Sequence, residues 1–365
     1  MRRLQCLGSS AVLLSAGLAA AAPPPPQTML GFHGKRLGAI APHQQAGHQQ
    51  AGHQQAGHQQ AGQHAGPRQT DDTSIVFTFL DYPGTSYTGA FAINPGVKAN
   101  AKTLLVGSFG PGLGDTWESP VYGFGLELKN TKGVMSESYR SILPGQSQIS
   151  LNSVNDKGLI AGTLTDANNV ATGFTLAPDG TQTTIVAPYP NAPDTTVTGV
   201  NNKGLVIGVY YTYDVANAYP FTYQNGAYTQ LPLYPGSSYV WPNGINNLGD
   251  STGNLIDQNG VNHGYLYKNG TFTLIDPPGS VYTIAIGLND SDEIVGFYCT
   301  TLQDCTINGP EDVQGFVYSN GVYTTINVPG SWFTELDTLN DAGTIVGNYW
   351  DQNGFVHSFL TPTPN

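Results

Sequence analysis

Charge is what this sequence has least of. Only 10% of its residues are Asp, Glu, Lys or Arg, against roughly a quarter in an average soluble domain. The basic side is the thinner one. From Ser74 onward there are 8 Lys+Arg against 23 Asp+Glu, a net charge of −15. Affinity for a polyanion comes from Lys and Arg set against phosphates, so nucleic acid is excluded as a partner. Cysteine occurs only three times. The one apolar run, over residues 4–18, is too short and too rich in Gly and Ser to cross a bilayer, and no membrane span is expected. Long Ala/Leu/Glu/Lys stretches are missing after residue 70, which argues against helices. There is no Gly-x-Ser-x-Gly elbow, no His-Glu-x-x-His pair and no phosphate-binding glycine loop. The motifs therefore imply no cofactor and no metal, and they identify no reaction.

What the sequence has is Gly (46), Pro (25) and Tyr (20) in 365 residues, a composition for many short strands joined by tight turns. Its beginning reads as a secretory signal over residues 1–22: Arg2 and Arg3, then the apolar run, then small residues at 19–22. Cys6 would leave with it. Cys299 and Cys305, with five residues between them, are expected to bridge in an oxidising compartment. Residues 23–73 open on four prolines and then repeat His-Gln-Gln-Ala-Gly from His43, His48, His53 and His58. Nothing there can bury a core, so the segment is expected to be a disordered linker. Residues 74–365 form the folded region.

Four landmarks recur through that region in fixed order. A strand ends in Gly at Gly107, Gly162, Gly208, Gly253, Gly296 and Gly347. A second strand is centred on a small residue and an aromatic, as in Gly123-Phe124, Gly173-Phe174, Pro220-Phe221, Gly264-Tyr265, Gly315-Phe316 and Ser358-Phe359. A turn, Asn-Gly at 225, 269 and 320, leads into a third strand. A Pro-Gly turn then precedes a short strand and an Asn-rich turn, as at Asn201-Asn202 or Asn289-Asp290. Four strands per period of 43–61 residues is the unit of a β-propeller. The sixth copy stops at Phe359-Leu360, and the missing strands stand at the other end, from Ile75 to Asn94. The fold class expected is all-β: a six-bladed propeller of four-stranded blades, closed by N-terminal strands completing the C-terminal blade. A monomer is expected.

Gly287-Leu288-Asn289-Asp290 followed by Ile294-Val295-Gly296, and Asn262-His263-Gly264-Tyr265-Leu266-Tyr267 before Asn269-Gly270, resemble the HAF extracellular repeat. The resemblance covers residues 75–360 and implies export and a propeller-like fold, without an activity. Histidine stands in the motif only at His263 and His357; Tyr122, Thr172, Tyr219 and Gln314 replace it elsewhere, so no histidine site carries over.

Strand alternation sorts the connections onto two ends. The Asn-rich turns are short and uniform and read as Asx turns. The variable loops and the Pro-Gly turns share the other end, which gathers aromatics. Loops on a rigid scaffold carry function, and aromatics with polar tips suit binding. The candidate ligand residues are Trp117, Tyr211, Tyr239, Trp241, Tyr282, His263, Trp332, Trp350 and His357. Packing between blades is the competing role for the aromatics. Asp257-Gln258-Asn259-Gly260 and Asp351-Gln352-Asn353-Gly354 echo the start of a Ca²⁺ loop but lack its remaining ligands, and read as turns. Asn269 and Asn289 fit the glycan acceptor pattern of a eukaryotic chain. The leading expectation is a secreted module that binds a glycan or small organic ligand on the aromatic loop face. The alternatives are an enzyme using the central channel, either a hydrolase or lyase or a cyclase or pericyclase, and a structural surface protein.

Overall fold

In the computed structural model the described residues are 68–71, 75–95, 103–110, 121–131, 134–146, 148–168, 170–189, 194–211, 217–301 and 313–364. They form strands and turns, with no helix among them. The signal segment and nearly all of the linker lie outside them. Within the linker, β1 (Arg68–Asp71) is an exception to the expected disorder. It pairs in parallel with the outer strand at 322–325, whose free edge offers backbone partners. β2 (Thr78–Leu80) follows.

The repeating unit is a four-stranded antiparallel meander. The first is β3 (Tyr87–Ile93), β4 (Thr103–Gly110), β5 (Tyr122–Thr131) and β6 (Val134–Ile142). Next come β7 (Ile149–Val154), β8 (Ile160–Thr165), β9 (Ala171–Leu176) and β10 (Gln182–Ile185). Then follow β11 (Asp194–Val200), β12 (Val206–Tyr211), β13 (Ala218–Gln224) and β14 (Ala227–Gln230). After them stand β15 (Tyr239–Ile245), β16 (Ser251–Ile256), β17 (Asn262–Lys268) and β18 (Thr271–Ile275). The next group is β19 (Tyr282–Leu288), β20 (Ile294–Cys299), β21 (Gln314–Ser319) and β22 (Val322–Ile326). Last are β23 (Phe333–Leu339), β24 (Thr344–Trp350) and β25 (Val356–Pro362), to which β2 adds the fourth strand.

The hydrogen-bonded unit is thus one strand out of step with the sequence period. The short strand after each Pro-Gly turn starts a unit rather than ending one. This corrects the expected role of residues 75–94. Thr78–Leu80 pairs with the C-terminal strand, whereas Tyr87–Ile93 pairs with β4 and touches β25 through one parallel bridge, Val356 to Tyr87. The same single bridge recurs between Ala218 and Tyr239 and between Asn262 and Tyr282. The starting strands lie side by side: β3 on β7, β7 on β11, β11 on β15, β15 on β19, β19 on β23, and β23 on β3.

Every starting strand carries a bulge at the same place, at Phe91, Asn152, Thr198, Asn243, Ile286 and Asp337. The bulge explains the recurrent glycine. A Cβ on Gly253 or Gly296 would run into the carbonyl oxygen of Trp241 or Ile284 across the pair, so only glycine fits opposite it. The aromatic of the next strand fills each unit's centre: Phe124, Phe174, Phe221, Tyr265, Phe316 and Phe359 are all buried. Each contributes about 1.5–3 kcal/mol by leaving water. The Asn-Gly turns have φ of 50–51° at Asn225, Asn269 and Asn320 and 80–86° at the following glycines, the left-handed pair that a two-residue hairpin needs.

Candidate functional site

The loop-end aromatics pack on one another. Tyr239, Trp241 and Tyr282 are 5–6% exposed. Trp241 lies 5.1 Å from Tyr211 and 6.1 Å from Tyr239, ring centre to ring centre. Tyr282 stacks near Phe297 at 6.5 Å, and Phe333 meets Trp350 at 4.2 Å. Trp332 packs 6.2 Å from Trp350 and donates its indole N–H to the Asp351 carbonyl at 2.8 Å. Only Tyr211, Trp332 and Trp350 remain half-buried, and Trp117 lies outside the described residues. Trp241 meets Tyr211 of the preceding unit and the other contacts lie within one unit, so the rings pack on one another instead of forming an open rim.

His263 and His357 occupy equivalent places. His263 Nδ1 is 2.7 Å from Asp276 Oδ2, with Nε2 3.7 Å from Asp257. His357 Nδ1 is 3.0 Å from Asp81 Oδ1, with Nε2 3.8 Å from Asp351. The Asp-Gln-Asn-Gly segments are turns: Asp257 Oδ1 accepts the N–H groups of Asn259 and Val261, and Asp351 Oδ1 those of Asn353 and Phe355. Among the described residues, no group of three or more His, Cys, Asp or Glu side chains is placed to hold a metal. Cys299 is buried at the end of β20, while Cys305 lies outside the described residues. Asn269 is exposed, but Asn289 is corrected as a glycan acceptor. It is 3% exposed, and its amide nitrogen already donates to Glu293 at 2.7 Å.

At the opposite end the Asn turns interlock. Asn155 Nδ2 donates to Asn201 O at 3.0 Å, Asn201 to Asn246 O at 3.0 Å, Asn246 to Asn289 O at 3.3 Å, and Asn289 to Asn340 O at 3.5 Å. A second course follows one residue on. The N–H of Asp156 donates to Asn202, that of Asn202 to Asn247, that of Asn247 to Asp290, and that of Asp290 to Asp341. The N–H of Asp341 returns to Pro95 O at 2.9 Å. Asn155, Asn201, Asn246 and Asn289 thus each close an Asx turn and tie one unit to the next, whereas Asn340 closes its turn while its buried Nδ2 has no protein partner. Burial, with the charges of Asp290 and Asp156, raises the Asp341 carboxyl above its ordinary range.

Within these courses lies a cavity of about 50 Å³. It is lined by the bulges and ends of the starting strands, over residues 91–93, 152–154, 198–200, 243–247, 286–290 and 337–339, with Pro95 and Asp341. The bulge residues give it its chemistry. Asn152 Nδ2 donates to Val197 O at 2.6 Å, and Asn243 Nδ2 to Ala285 O at 2.9 Å. Asp337 cannot donate when ionised, and a relay replaces it. Asn348 Nδ2 donates to Asp337 Oδ2 at 2.7 Å and to Ala90 O at 3.2 Å. Asn348 Oδ1 accepts from Ser358 Oγ at 2.6 Å and from Ala90 N at 3.1 Å. Asp337 Oδ1 and Asn243 Oδ1 are buried with no protein partner. Glu335, one side-chain period from Asp337, is raised to about 8 by burial, opposed by a hydrogen bond with Asn348. Burial and the Glu335 charge hold Asp337 far above the usual carboxylate range. Burial and these two carboxylates also raise the Tyr87 hydroxyl.

The sequence reading missed Asp337, Glu335, Asn243 and Asn348. The available signal was Glu335-Leu336-Asp337: two carboxylates at the spacing of one strand face, inside a strand that packing buries.

No family model matches the chain, and no curated protein matches it. Among solved structures it is similar to the β-propeller domain of the Trilobed protease from Pyrococcus furiosus, at 11% identity and a TM-score of 0.41, covering 75% of this chain and 82% of that one. It is also similar to the fucose-specific lectin from Aleuria aurantia, at 9% and 0.46, covering 76% and 96%. A third is a gluconolactonase from Xanthomonas campestris, at 12% and 0.41, covering 76% and 99%. At these values the likenesses carry no weight on what this chain binds or does.

Proposed function

We propose that the chain is an exported, closed six-bladed β-propeller of the HAF-repeat type that binds a small polar organic ligand in its axial cavity. Closure is supported by the order of the starting strands, with β23 against β3, and by β2 lying on the C-terminal strand. Export rests on the leader-like residues 1–22, and a Cys299–Cys305 bridge would suit that compartment. The observation that carries the binding reading is the cavity itself. It is touched by every starting strand, and its lining brings together Asn152, Asn243, Asn246, Asn289, Asp337 and Asp341. Convergent polar groups fix the orientation of a small molecule in such a site. The loop-end aromatics already fill one another's contact surface, so the ligand is assigned to the channel and not to a glycan-binding rim.

A metabolite screen by thermal shift on the mature chain tests this, beside Thr338→Trp, which places a large ring on the cavity lining. Ligands that stabilise the wild type and not the variant are expected. If every stabilising compound acts equally on both, the channel is not the site.

A further inference from the structure

We infer that the outer strands of the last unit carry a second binding site, for the neutral pyranose ring of a saccharide, between Phe79 and Phe355 and over His357. This site is separate from the channel and from the aromatics that pack on one another at the loop end.

The first ground is exposure. Among the described residues only two aromatic rings are exposed, Phe79 at 50% and Phe355 at 36%. Every other described ring is buried or half-buried. Both exposed rings belong to one face of the last unit. Phe355 stands two residues before His357, the spacing of one strand face, and Phe79 lies opposite Phe359, two residues after it. Tyr349 links them: its ring is 5.5 Å from Phe79 and stacks on His357 at 5.0 Å. Exposed apolar surface rimmed by polar groups marks a place where something binds.

The second ground is the polar group between the rings. His357 Nδ1 is 3.0 and 3.2 Å from the two oxygens of Asp81. An ionised carboxylate only accepts, so Nδ1 donates. On the other side Nε2 is 3.8 Å from Asp351 Oδ2, too far for a hydrogen bond. A hydroxyl group bridges such a gap whatever the charge of the imidazole, because it both donates and accepts. Asp81 is itself 48% exposed and keeps lone pairs for a second hydroxyl. Both carboxylates are already engaged, Asp81 by the imidazole and Asp351 by Asn353 and the N–H of Phe355, so neither stands free for a cation. Two carboxylates together repel an anion. A neutral ligand with an apolar face and several hydroxyls fits what remains. A pyranose has both, with C–H groups on its face and hydroxyls around its edge.

The third ground is repetition. The β15 unit carries the same set in the same register. His263 lies 2.7 Å from Asp276 and 3.7 Å from Asp257. Val261 and Leu274, each 38% exposed, stand in the places of Phe355 and Phe79. The architecture does not need the set, because Tyr122, Thr172, Tyr219 and Gln314 occupy the histidine place in the other four units. With aliphatic side chains in place of the rings, the β15 corner is the weaker of the two sites.

NMR of the mature chain with isotope-labelled histidine tests this. The two propeller imidazoles are assigned from His263→Gln and His357→Gln, and the methyl glycosides of glucose, galactose, mannose and xylose are titrated in. At least one glycoside should shift the His357 signals with a Kd of about 1–10 mM, and the His263 signals more weakly. Glucosamine and glucuronate, which put a positive or a negative charge on the same ring, should bind no better. Phe79→Ala should weaken the His357 response about threefold to tenfold and leave the His263 response unchanged. Leu274→Phe, which copies the ring into the β15 unit, should strengthen the His263 response by a similar factor, and it covers the case in which Phe79→Ala unsettles the β2 edge. Thr338→Trp should leave both responses unchanged. No shift with any of the four glycosides at about 50 mM overturns the saccharide site. An unchanged His357 response in Phe79→Ala, no gain in Leu274→Phe, or a charged sugar preferred by about tenfold overturns it too. A response lost in Thr338→Trp puts the sugar in the channel, which removes this site and leaves the channel reading standing.

Discussion

The junction between β23 and β3 solves the same problem as those between β7 and β11 and between β15 and β19, but with different chemistry. In the latter two, one neutral amide at the bulge, Asn152 or Asn243, reaches the next unit's carbonyl directly. At β23 the bulge residue is Asp337, and the reach is made by Asn348 from the neighbouring strand, backed by Ser358. The neutral junctions need one side chain where the acidic one needs three. The difference separates what the architecture requires, a donor to the facing carbonyl, from what it merely tolerates, a buried carboxylate.

The strongest way to break the comparison is to remove the strand that hydrogen-bonds only to the acidic unit. Deleting residues 75–80 strips β2 from β25, takes Leu80 out of its core, and leaves Phe359 without the edge contact of Phe77 at 5.2 Å. A loss of about 4 kcal/mol or more is expected, read as failure to accumulate soluble protein or as collapse of the urea midpoint. Deleting residues 1–71, β1 included, should change the midpoint by less than about 1 kcal/mol. Equal effects would mean that β2 does not complete the last unit.

Asn348→Ala is next. It leaves Ala90 O and Asp337 without their donor in a buried setting, and should cost about 2–4 kcal/mol in urea unfolding. Asn254→Ala, at the same place in the β15 unit, removes only a 3.4 Å contact with Asn243 and should cost less than about 1 kcal/mol. Similar costs would erase the distinction between relay and direct bond.

The third contrast is with pH. Glu335 is raised to about 8, and Asp337 is raised as well. Between about pH 4.3, where an unfolded Glu ionises, and about pH 8, the folded chain holds protons that the unfolded chain has released. The unfolded state binds fewer protons there, so stability falls as pH rises. The urea midpoint should decline across that window in the wild type, and Asp337→Asn should both raise it and flatten the decline. A wild-type midpoint that climbs from pH 5 to 8 would show that the pair is ionised in the native state.

Much of this architecture was readable before the structure. The glycines at 107, 162, 208, 253, 296 and 347 announced the period because a bulge admits nothing else opposite it, and the Asn-Gly hairpins because their φ values need those residues. The phase of the unit was not readable. A meander has no chemical mark for its first strand, and only hydrogen bonding places Tyr87–Ile93 with β4. The site was less readable still. Tyr239, Trp241 and Tyr282 looked like a binding face because aromatics after turns can be exposed, yet inter-unit packing buries them. Asp337 looked like any strand acid, because spacing along one strand says nothing of what a neighbouring unit leaves unpaired.

The smallest expected effect concerns the two histidines, which extend the comparison to the loop end. His263 and Asp276 are 20% and 29% exposed at 2.7 Å, whereas Asp81 beside His357 is 48% exposed at 3.0 Å. An exposed pair contributes little because water screens it and ordering two side chains costs entropy. Gln314 stands at the same place in the β19 unit and bonds Tyr298 at 2.7 Å, so glutamine fits this position. His263→Gln should therefore cost less than about 1 kcal/mol, and His357→Gln less again. Repeating the urea titrations at high salt should shrink both differences. A His357→Gln cost above that of His263→Gln, insensitive to salt, would mean that its stacking on Tyr349 at 5.0 Å, and not its carboxylate, holds it in place.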